Sequence, residues 1–333
     1  TQSDGLIWTP YASAADNAII GGDFSTNPWQ RGTSFAAASG YAADRFAWTQ
    51  VGTGVVTLSK SADAPTVAQA GMSATHCLLV DCTTADAAIA AGDIYAVYQP
   101  VEGYNFIPLA QRTMVLQFWH KHTKTGTYCY SLRNGGSDRS YVGEYTQAVS
   151  DTWELASAVI TASPSAGTWD YTNGVGMYVQ WIVAGGSTYQ TAAGSWATGN
   201  YYCSSNQVNG LDSTSNNFRI ALVDLRPGNV VLPVQSRDVG TELALCQRYY
   251  YEWESAGTGE GVCVAHAFSA TDSQGAIFYP APMRSAPTFS VGNAGSFLSM
   301  RANAAATDAC TAVILSSSNI ASSIIQFSTA NLV

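Results

Sequence analysis

The sequence predicts an all-β protein, a sandwich or jelly roll followed by a short helix and a small second β domain. Three observations lead to this prediction. Aromatic residues and glycine are abundant, with 18 Tyr, 9 Trp, 11 Phe and 30 Gly, and these residues suit pleated strands and tight turns. Short runs with strand character recur between clusters of turn residues. Only one segment has a convincing helical pattern.

The first 16 residues are polar and aperiodic, so we expect an extended arm rather than a domain. The arm carries Ile7, Trp8 and Tyr11, and these are the predicted contacts for attachment to another protein. The domain of residues 17–240 comes next, and its predicted strands are Val55–Ser59, Cys77–Val80, Ile94–Pro100, Met114–His120, Thr127–Leu132, Gly176–Val183 and Phe218–Leu225.

Residues 241–253 form the predicted helix that joins the two β regions. Thr241 can cap its N-terminus, Glu242 suits the first turn, and Leu243, Cys246 and Tyr250 fall on one stripe that we expect to be buried. For residues 254–333 the sequence predicts a small C-terminal β domain. Its expected strands are Val262–Phe268, Gly275–Tyr279, Thr288–Val291, Ala312–Leu315 and Ile324–Phe327.

Charge and cysteine content narrow the class of protein. Only 11% of residues are charged, the net charge is −9, and no Lys/Arg cluster occurs, so nucleic-acid binding is not expected. No apolar run is long enough to span a membrane, and we expect a soluble chain without an export signal. The seven Cys lack CxxC spacing, which favours free, buried thiols over disulfides or a zinc site.

Several segments, in this order, resemble a family of bacteriophage and prophage virion proteins, the tail fibre and structural proteins. The segment Leu245-Cys-Gln-Arg-Tyr-Tyr250 is its most specific element, and the weaker ones are Asn17–Phe24, Trp29–Gly32, Tyr41–Phe46, Val97–Gly103, Leu116–Trp119, Thr152–Trp153, Ser204–Asn209, Phe218–Leu225 and Met283–Thr288. One departure is Arg226-Pro-Gly-Asn229, where family members often have an acidic pair. The resemblance implies a jelly roll like that of galactose-binding, carbohydrate-binding modules. It also implies a homotrimer on the virion surface. The expected free thiols are consistent with folding in the reducing cytoplasm of the bacterial host.

The candidate binding residues are aromatic. Rings stack on the C–H faces of sugars while nearby amides and hydroxyls bond the sugar hydroxyls. A region rich in Gly, Ser, Thr and Asn supplies the candidate glycan-binding rings, which are Trp169, Tyr171, Tyr189, Trp196, Tyr201 and Tyr202. The alternative is that these rings cover the sandwich core from a long loop.

No metal or cofactor is expected, although two metal alternatives stay open. His120 and His122 share a strand face but lack a third ligand. The oxygen-rich loop Asn134–Asp138 could supply ligands for a structural Ca²⁺.

The predicted function is host attachment by a receptor-binding tail fibre, head fibre or spike subunit that binds host surface polysaccharide and is not an enzyme. One alternative is a depolymerase of capsule or cell-wall glycan, which needs two facing carboxylates. The pairs Asp151 with Glu154 and Glu252 with Glu254 are better interpreted as solvated or turn residues. The other alternative is a decoration protein of the capsid or tail that binds no ligand.

Overall fold

The computed structural model describes residues 16–36, 39–253, 261–291, 298–300 and 307–330. The chain forms two compact units, residues 1–246 and 247–333. The predicted attachment residues Ile7, Trp8 and Tyr11 lie outside the described residues. None of the described helices is long and apolar enough to cross a membrane.

The first unit is a jelly-roll sandwich of two antiparallel sheets. The six-stranded sheet has the order β1-β4-β5-β13-β7-β10, with bounds β1 Ser34–Ala36, β4 Val55–Ser61, β5 Cys77–Thr84, β7 Met114–His122, β10 Glu154–Ile160 and β13 Asn217–Pro227. The seven-stranded sheet has the order β12-β9-β8-β11-β6-β3-β2, with bounds β2 Gly40–Tyr41, β3 Ala47–Val51, β6 Ile94–Glu102, β8 Gly126–Asn134, β9 Arg139–Gln147, β11 Val175–Gly185 and β12 Trp196–Thr198. All seven strands predicted for this unit are therefore confirmed, and each is longer than expected.

The core lies between the two sheets and is rich in aromatic rings. Phe118 of β7 meets Trp181 of β11 at 5.8 Å and Tyr145 of β9 at 5.0 Å between ring centroids, with near-perpendicular planes. Edge-to-face contacts of this kind stabilise aromatic pairs beyond the area that they bury. Alternate residues of each strand point inward, as the period of two requires.

Among the described residues, three α-helices lie between strands: α1 Val67–Ala70, α2 Gly103–Phe106 and α3 Val239–Gln247. Helix α3 corresponds to the helix predicted at residues 241–253, but it begins and ends earlier. Asp238 rather than Thr241 supplies the first side-chain acceptor, since its carboxylate accepts from the amides of Gly240 and Thr241. The expected register is partly wrong, because Leu243 is 36% exposed whereas Cys246 is buried.

Glu242, rather than Leu243, is buried on α3. Its carboxylate accepts a hydrogen bond from the backbone amide of Gly21 and forms an ion pair with Arg237 at 3.1 Å. The Arg237 guanidinium in turn donates to the carbonyls of Asn17 and Ile19. A fixed ion pair thus ties α3 to the first segment of the sandwich, where an apolar stripe was expected.

The second unit contains a five-stranded antiparallel sheet of order β14-β15-β18-β17-β16. Its bounds are β14 Ala265–Ala267, β15 Asp272–Phe278, β16 Leu298–Met300, β17 Thr307–Ser318 and β18 Ser322–Thr329. Cys310, Val313, Ile325 and Phe327 form its buried cluster. The strand predicted at Thr288–Val291 is absent, since the described residues there have no strand pairing.

All seven cysteines are free thiols, and six of them are buried. Burial raises the pKa of the Cys77 and Cys203 thiols to about 12. The thiols are therefore protonated at neutral pH and behave as small apolar side chains.

Candidate functional site

The strongest site candidate lies on the outer face of the seven-stranded sheet. Residues directly opposite each other in antiparallel strands share a face. In this sheet Gln180 of β11 lies opposite Tyr98 of β6, and Tyr178 of β11 lies opposite Arg133 of β8. Their sequence neighbours Val97, Leu132, Val179 and Trp181 belong to the core. Tyr98, Arg133, Tyr178 and Gln180 therefore point away from the core.

These strand residues converge on one guanidinium group. The Arg133 Cζ lies 4.1 Å from the ring centroid of Tyr202 and 5.3 Å from that of Tyr178. Arg133 Nε donates to Gln180 Oε1 at 2.6 Å, and the same oxygen accepts from Ser131 Oγ at 3.1 Å. We call Tyr98, Arg133, Tyr178, Gln180 and Tyr202 the Tyr–Arg cluster.

Further rings and amides surround the cluster. Tyr98 meets Tyr178 edge-to-face at 5.9 Å, and Tyr189 meets Tyr202 edge-to-face at 5.0 Å. Arg133 Nη1 donates to Ser137 Oγ at 3.2 Å and to the side-chain oxygen of Asn200. The rings of Tyr98, Tyr178 and Tyr202 are half-buried, so part of each remains open to solvent. The result is a fixed aromatic surface with amide and hydroxyl groups beside it.

The charge of the cluster is unusual because its cation is buried. Arg133 is 6% exposed, and within the described ranges no carboxylate forms an ion pair with it. Burial lowers the pKa of the Arg133 guanidinium and raises the pKa of the Tyr98 and Tyr202 phenols. The guanidinium still keeps its proton at neutral pH, since arginine is always charged in proteins. The cluster thus presents one positive charge and neutral phenols.

The segment after β11 supplies Tyr189 and Tyr202 and is held onto the sheet by its backbone. The Gly186 amide donates to Asp93 O at 2.8 Å, the Thr188 amide to Ala91 O at 2.9 Å and the Tyr202 amide to Tyr189 O at 2.8 Å. A Cβ at Gly186 would lie 2.0 Å from the Ala90 carbonyl oxygen, so only glycine fits. This segment buries Cys203 against an apolar patch of the outer face formed by Ile94, Ala96, Cys129, Val142 and Ile182.

The six rings predicted from sequence fall into two groups. Tyr189, Tyr201 and Tyr202 pack against the apolar patch of the outer face. The other three, Trp169, Tyr171 and Trp196, lie around Phe106 and Tyr141 at the edge of the core.

The rings of the second group are held in place by stacking and hydrogen bonds, as core side chains are. Trp169 stacks on Phe106 at 5.0 Å with an interplanar angle of 11°, and Trp196 meets Trp169 edge-to-face at 5.8 Å. Both indole N–H groups donate to backbone carbonyls, that of Trp169 to Ala166 and that of Trp196 to Thr161. Tyr171 keeps 39% of its surface exposed. The two tryptophans therefore cover the core, which is the alternative that the sequence left open.

Sequence reasoning missed four members of the cluster: Tyr98, Arg133, Tyr178 and Gln180. All four lie within strands rather than in the region of small polar residues from Gly185 to Asn209. The available signal was polar residues at alternate positions of otherwise apolar strands, as in Tyr178-Val-Gln180-Trp. That pattern marks a strand face turned to solvent.

The two histidines share a face, as predicted, but that face is the core. The His122 ring stacks on Phe218 at 4.0 Å, and the His120 and His122 rings lie 5.2 Å apart. His120 Nδ1 lies 2.9 Å from Gln147 Oε1, and His122 Nε2 lies 3.1 Å from the Tyr145 hydroxyl. Across the described part of the chain, no group of three or more His, Cys, Asp or Glu side chains could hold a metal ion.

The oxygen-rich loop Asn134–Asp138 is occupied by its own hydrogen bonds. The Asp138 carboxylate accepts from Asn134 Nδ2 at 2.5 Å and from the amide and hydroxyl of Thr168 at 3.0–3.1 Å. These contacts hold the turn between β8 and β9. The Asp138 carboxylate is therefore already engaged within the loop.

The carboxylates considered for catalysis also have structural contacts. Asp151 lies 3.4 Å from both Lys121 and Arg219, and Glu154 accepts from the amides of Ala148 and Val149. Glu252 accepts from the Tyr250 hydroxyl at 2.7 Å, and Glu254 is outside the described residues. These contacts match the interpretation as turn and surface carboxylates.

Comparisons with known proteins give distant structural likenesses. No family model matches the chain, and no curated protein matches it. Among solved structures, the enzymatically active domain of bacteriophage CBA120 tailspike protein 4 is 13% identical with a TM-score of 0.35. That match covers 65% of this chain, which spans only 22% of the tailspike chain.

Two carbohydrate-binding modules are similar at the same level. The C-terminal family 22 module of Clostridium thermocellum Xyn10B is 17% identical, with a TM-score of 0.30, over 55% of this chain and 88% of the module. A family 61 module solved with β-1,4-galactotriose is 9% identical, with a TM-score of 0.30, over 64% of this chain and 99% of the module.

Proposed function

We propose that the sandwich unit is a non-enzymatic carbohydrate-binding module that holds a polysaccharide against the Tyr–Arg cluster. The observation that carries the proposal is the convergence of half-exposed tyrosine rings on a guanidinium fixed by side-chain amides. Rings of this kind pack on the C–H faces of a sugar, and the neighbouring amide and hydroxyl groups bond its hydroxyls. The cluster contains both kinds of group within one patch.

Preorganisation supports the same function. Arg133 is held by Gln180, Ser137 and Asn200, and its stacking partners Tyr178 and Tyr202 are half-buried. Side chains that are already ordered lose little conformational entropy when a ligand binds. A ready-made surface is what a weak, reversible sugar contact needs.

The shape of the surface favours an extended chain over a small molecule. Tyr98, Tyr178 and Arg133 lie on three adjacent strands, β6, β11 and β8, so the cluster runs across the sheet. A ligand lying in this direction contacts successive rings with successive sugar units. Each single contact is weak, and linking several copies of the protein would raise avidity by about 10² to 10⁴.

The direct test compares Tyr178→Ala with Tyr171→Ala on a glycan array and by affinity electrophoresis in host polysaccharide. Tyr171 is the matched control, because it is also a partly exposed tyrosine but stacks on Phe106 in the other aromatic group. Loss of the Tyr178 ring should weaken binding about fivefold or more, since a stacked ring contributes about 1 kcal/mol or more. Tyr171→Ala should bind as the wild type does.

Two results would contradict the proposed site. If Tyr178→Ala binds normally while Trp169→Ala and Trp196→Ala do not, the site lies in the second aromatic group. If the wild type binds no polysaccharide, the decoration alternative is favoured. Release of oligosaccharides from a bound polymer would instead support the depolymerase alternative.

We further propose that the chain is a bacteriophage virion subunit, a tail fibre, head fibre or spike that attaches as a homotrimer. The support is the resemblance carried by Leu245–Tyr250 and the accompanying segments. The arm, with Ile7, Trp8 and Tyr11, would contact another virion protein.

Deleting residues 1–16 should give folded protein that is missing from particles, as checked by particle reconstruction. Normal occupancy of the truncated subunit would refute the anchoring role.

A further inference from the structure

The charged surroundings of Arg133 differ from those of three other largely shielded arginines of the sandwich. Arg226 lies 2.5 Å from Asp224, Arg237 lies 3.1 Å from Glu242, and Arg219 lies 3.3 Å from Asp63. Each of these cations has a carboxylate at contact distance. Among the described residues, by contrast, Arg133 contacts only the neutral groups of Gln180, Ser137, Asn200 and the tyrosine rings.

A buried cation without an anion is costly to maintain. Taking a charged group out of water carries a large desolvation penalty, which nearby neutral dipoles and ring faces offset only in part. Burial lowers the pKa of Arg133, in agreement with this penalty. An anion brought to the guanidinium would recover part of that energy.

One nitrogen of the guanidinium is available for such an anion. Nε and Nη1 donate to Gln180, Ser137 and Asn200. Within the described part of the chain no residue accepts from Nη2, and this atom is not among the enclosed polar atoms that lack a partner. Nη2 is therefore the edge of Arg133 that meets solvent, inside the proposed binding surface.

We propose that the Tyr–Arg cluster selects acidic polysaccharides, with Nη2 of Arg133 donating to the carboxylate of a uronic-acid unit. The inference rests on the proposed function of this surface and names its ligand class. A single free guanidinium nitrogen has two N–H groups, which suits a singly charged carboxylate. The chain carries a net charge of −9, so the selection is local and does not arise from long-range attraction.

The test uses pairs of polymers in which one member carries carboxylates and the other carries neutral groups at the same positions. Polygalacturonate is paired with its methyl ester, and alginate and hyaluronan are each paired with their carboxyl-reduced forms. Affinity electrophoresis of the full chain should show at least one acidic polymer bound about tenfold or more tightly than its neutral partner, because a charge-assisted hydrogen bond is replaced by a weaker contact. Since the contact is largely shielded from solvent, 0.5 M salt should reduce the preference only modestly.

Two variants assign the preference to Arg133. Arg133→Gln should lower the acidic-to-neutral ratio to about one, while Arg133→Lys, which keeps the charge, should retain part of it. Thermal unfolding and near-UV circular dichroism show whether each variant keeps the native fold. If Arg133→Gln is misfolded, the ratio measured on the wild type and on Arg133→Lys decides.

The outcomes separate this inference from the proposed function. Equal binding of every acidic polymer and its neutral partner by the wild type would overturn the acidic preference but leave polysaccharide binding intact. A preference that survives in folded Arg133→Gln would likewise overturn it. Absence of binding to all polysaccharides, acidic and neutral, would refute the proposed function together with the inference.

Discussion

The two core histidines should make the sandwich unit lose stability between pH 7 and pH 5. His120 and His122 are 1% and 0% exposed, and their neighbours are rings and neutral polar groups. Burial lowers the pKa of His120 to about 4 and holds the pKa of His122 well below its ordinary value. The folded protein therefore keeps both imidazoles neutral throughout this range.

The sign follows from proton uptake by the unfolded chain. Unfolded histidine has a pKa of about 6.5. Lowering the pH from 7 to 5 therefore protonates each imidazole in the unfolded chain but not in the folded protein. The free energy of unfolding must then decrease as the pH is lowered from 7 to 5, by about 2 kcal/mol for each histidine and about 4 kcal/mol for both. The pKa values of Asp63, Asp86 and Asp212 are lowered from 3.8, so the loss of their stabilising contacts belongs to more acidic solution.

Denaturant unfolding at a series of pH values, followed by tryptophan fluorescence, measures this effect. Eight of the nine tryptophans, all except Trp253, belong to residues 1–246, so the signal reports on the sandwich unit. His120→Gln removes one of the two core imidazoles and should halve their contribution to the decrease. An unchanged pH dependence in that variant would refute the reasoning, as would NMR signals showing either core imidazole titrating near pH 6.5 in the folded protein.

Two further predictions concern α3 and the segment after β11. Leu243→Ala should cost less than about 1 kcal/mol, because Leu243 is 36% exposed, whereas Glu242→Ala should cost about 3–5 kcal/mol by leaving Arg237 buried without its carboxylate. Thermal or denaturant unfolding of both variants measures the difference, and equal costs would contradict the observed register of α3. Gly186→Ala should weaken polysaccharide binding, because its Cβ would lie 2.0 Å from the Ala90 carbonyl and displace the segment that carries Tyr202. Normal binding by this variant would mean that Tyr202 does not depend on that anchor.

The strands of the sandwich were predictable because their signal is local. Met114–His122 and Asn217–Pro227 combine apolar and aromatic residues between turn clusters, and each segment forms a strand in the structure. The helix near residue 241 was also predictable from its pattern. Which of its faces is buried was not, because the ion pair of Glu242 depends on Arg237, a partner whose position the helical stripe does not encode.

The candidate site was predictable only in part, for a similar reason. Tyr202 was found because it lies in a loop rich in small polar residues, whereas Arg133 and Tyr178 lie in separate strands that no local pattern connects. Their meeting depends on the register between β8 and β11, and a shift of one strand by one residue would place Arg133 and Tyr178 on opposite faces of the sheet. Trp169 and Trp196 show the converse, because rings with a suitable composition around them became core packing.

The six buried free thiols give the protein a built-in set of reporters of local opening. A buried, protonated thiol does not react with an alkylating reagent until its surroundings separate, so its labelling rate follows the opening of that region alone. Cys77 and Cys82 lie on β5, Cys129 on β8, Cys203 after the segment that covers the outer face, and Cys310 on β17. Pulsed alkylation read out by mass spectrometry would therefore time the release of the covering segment from the sheet beneath it, in the native sequence and without any engineered label.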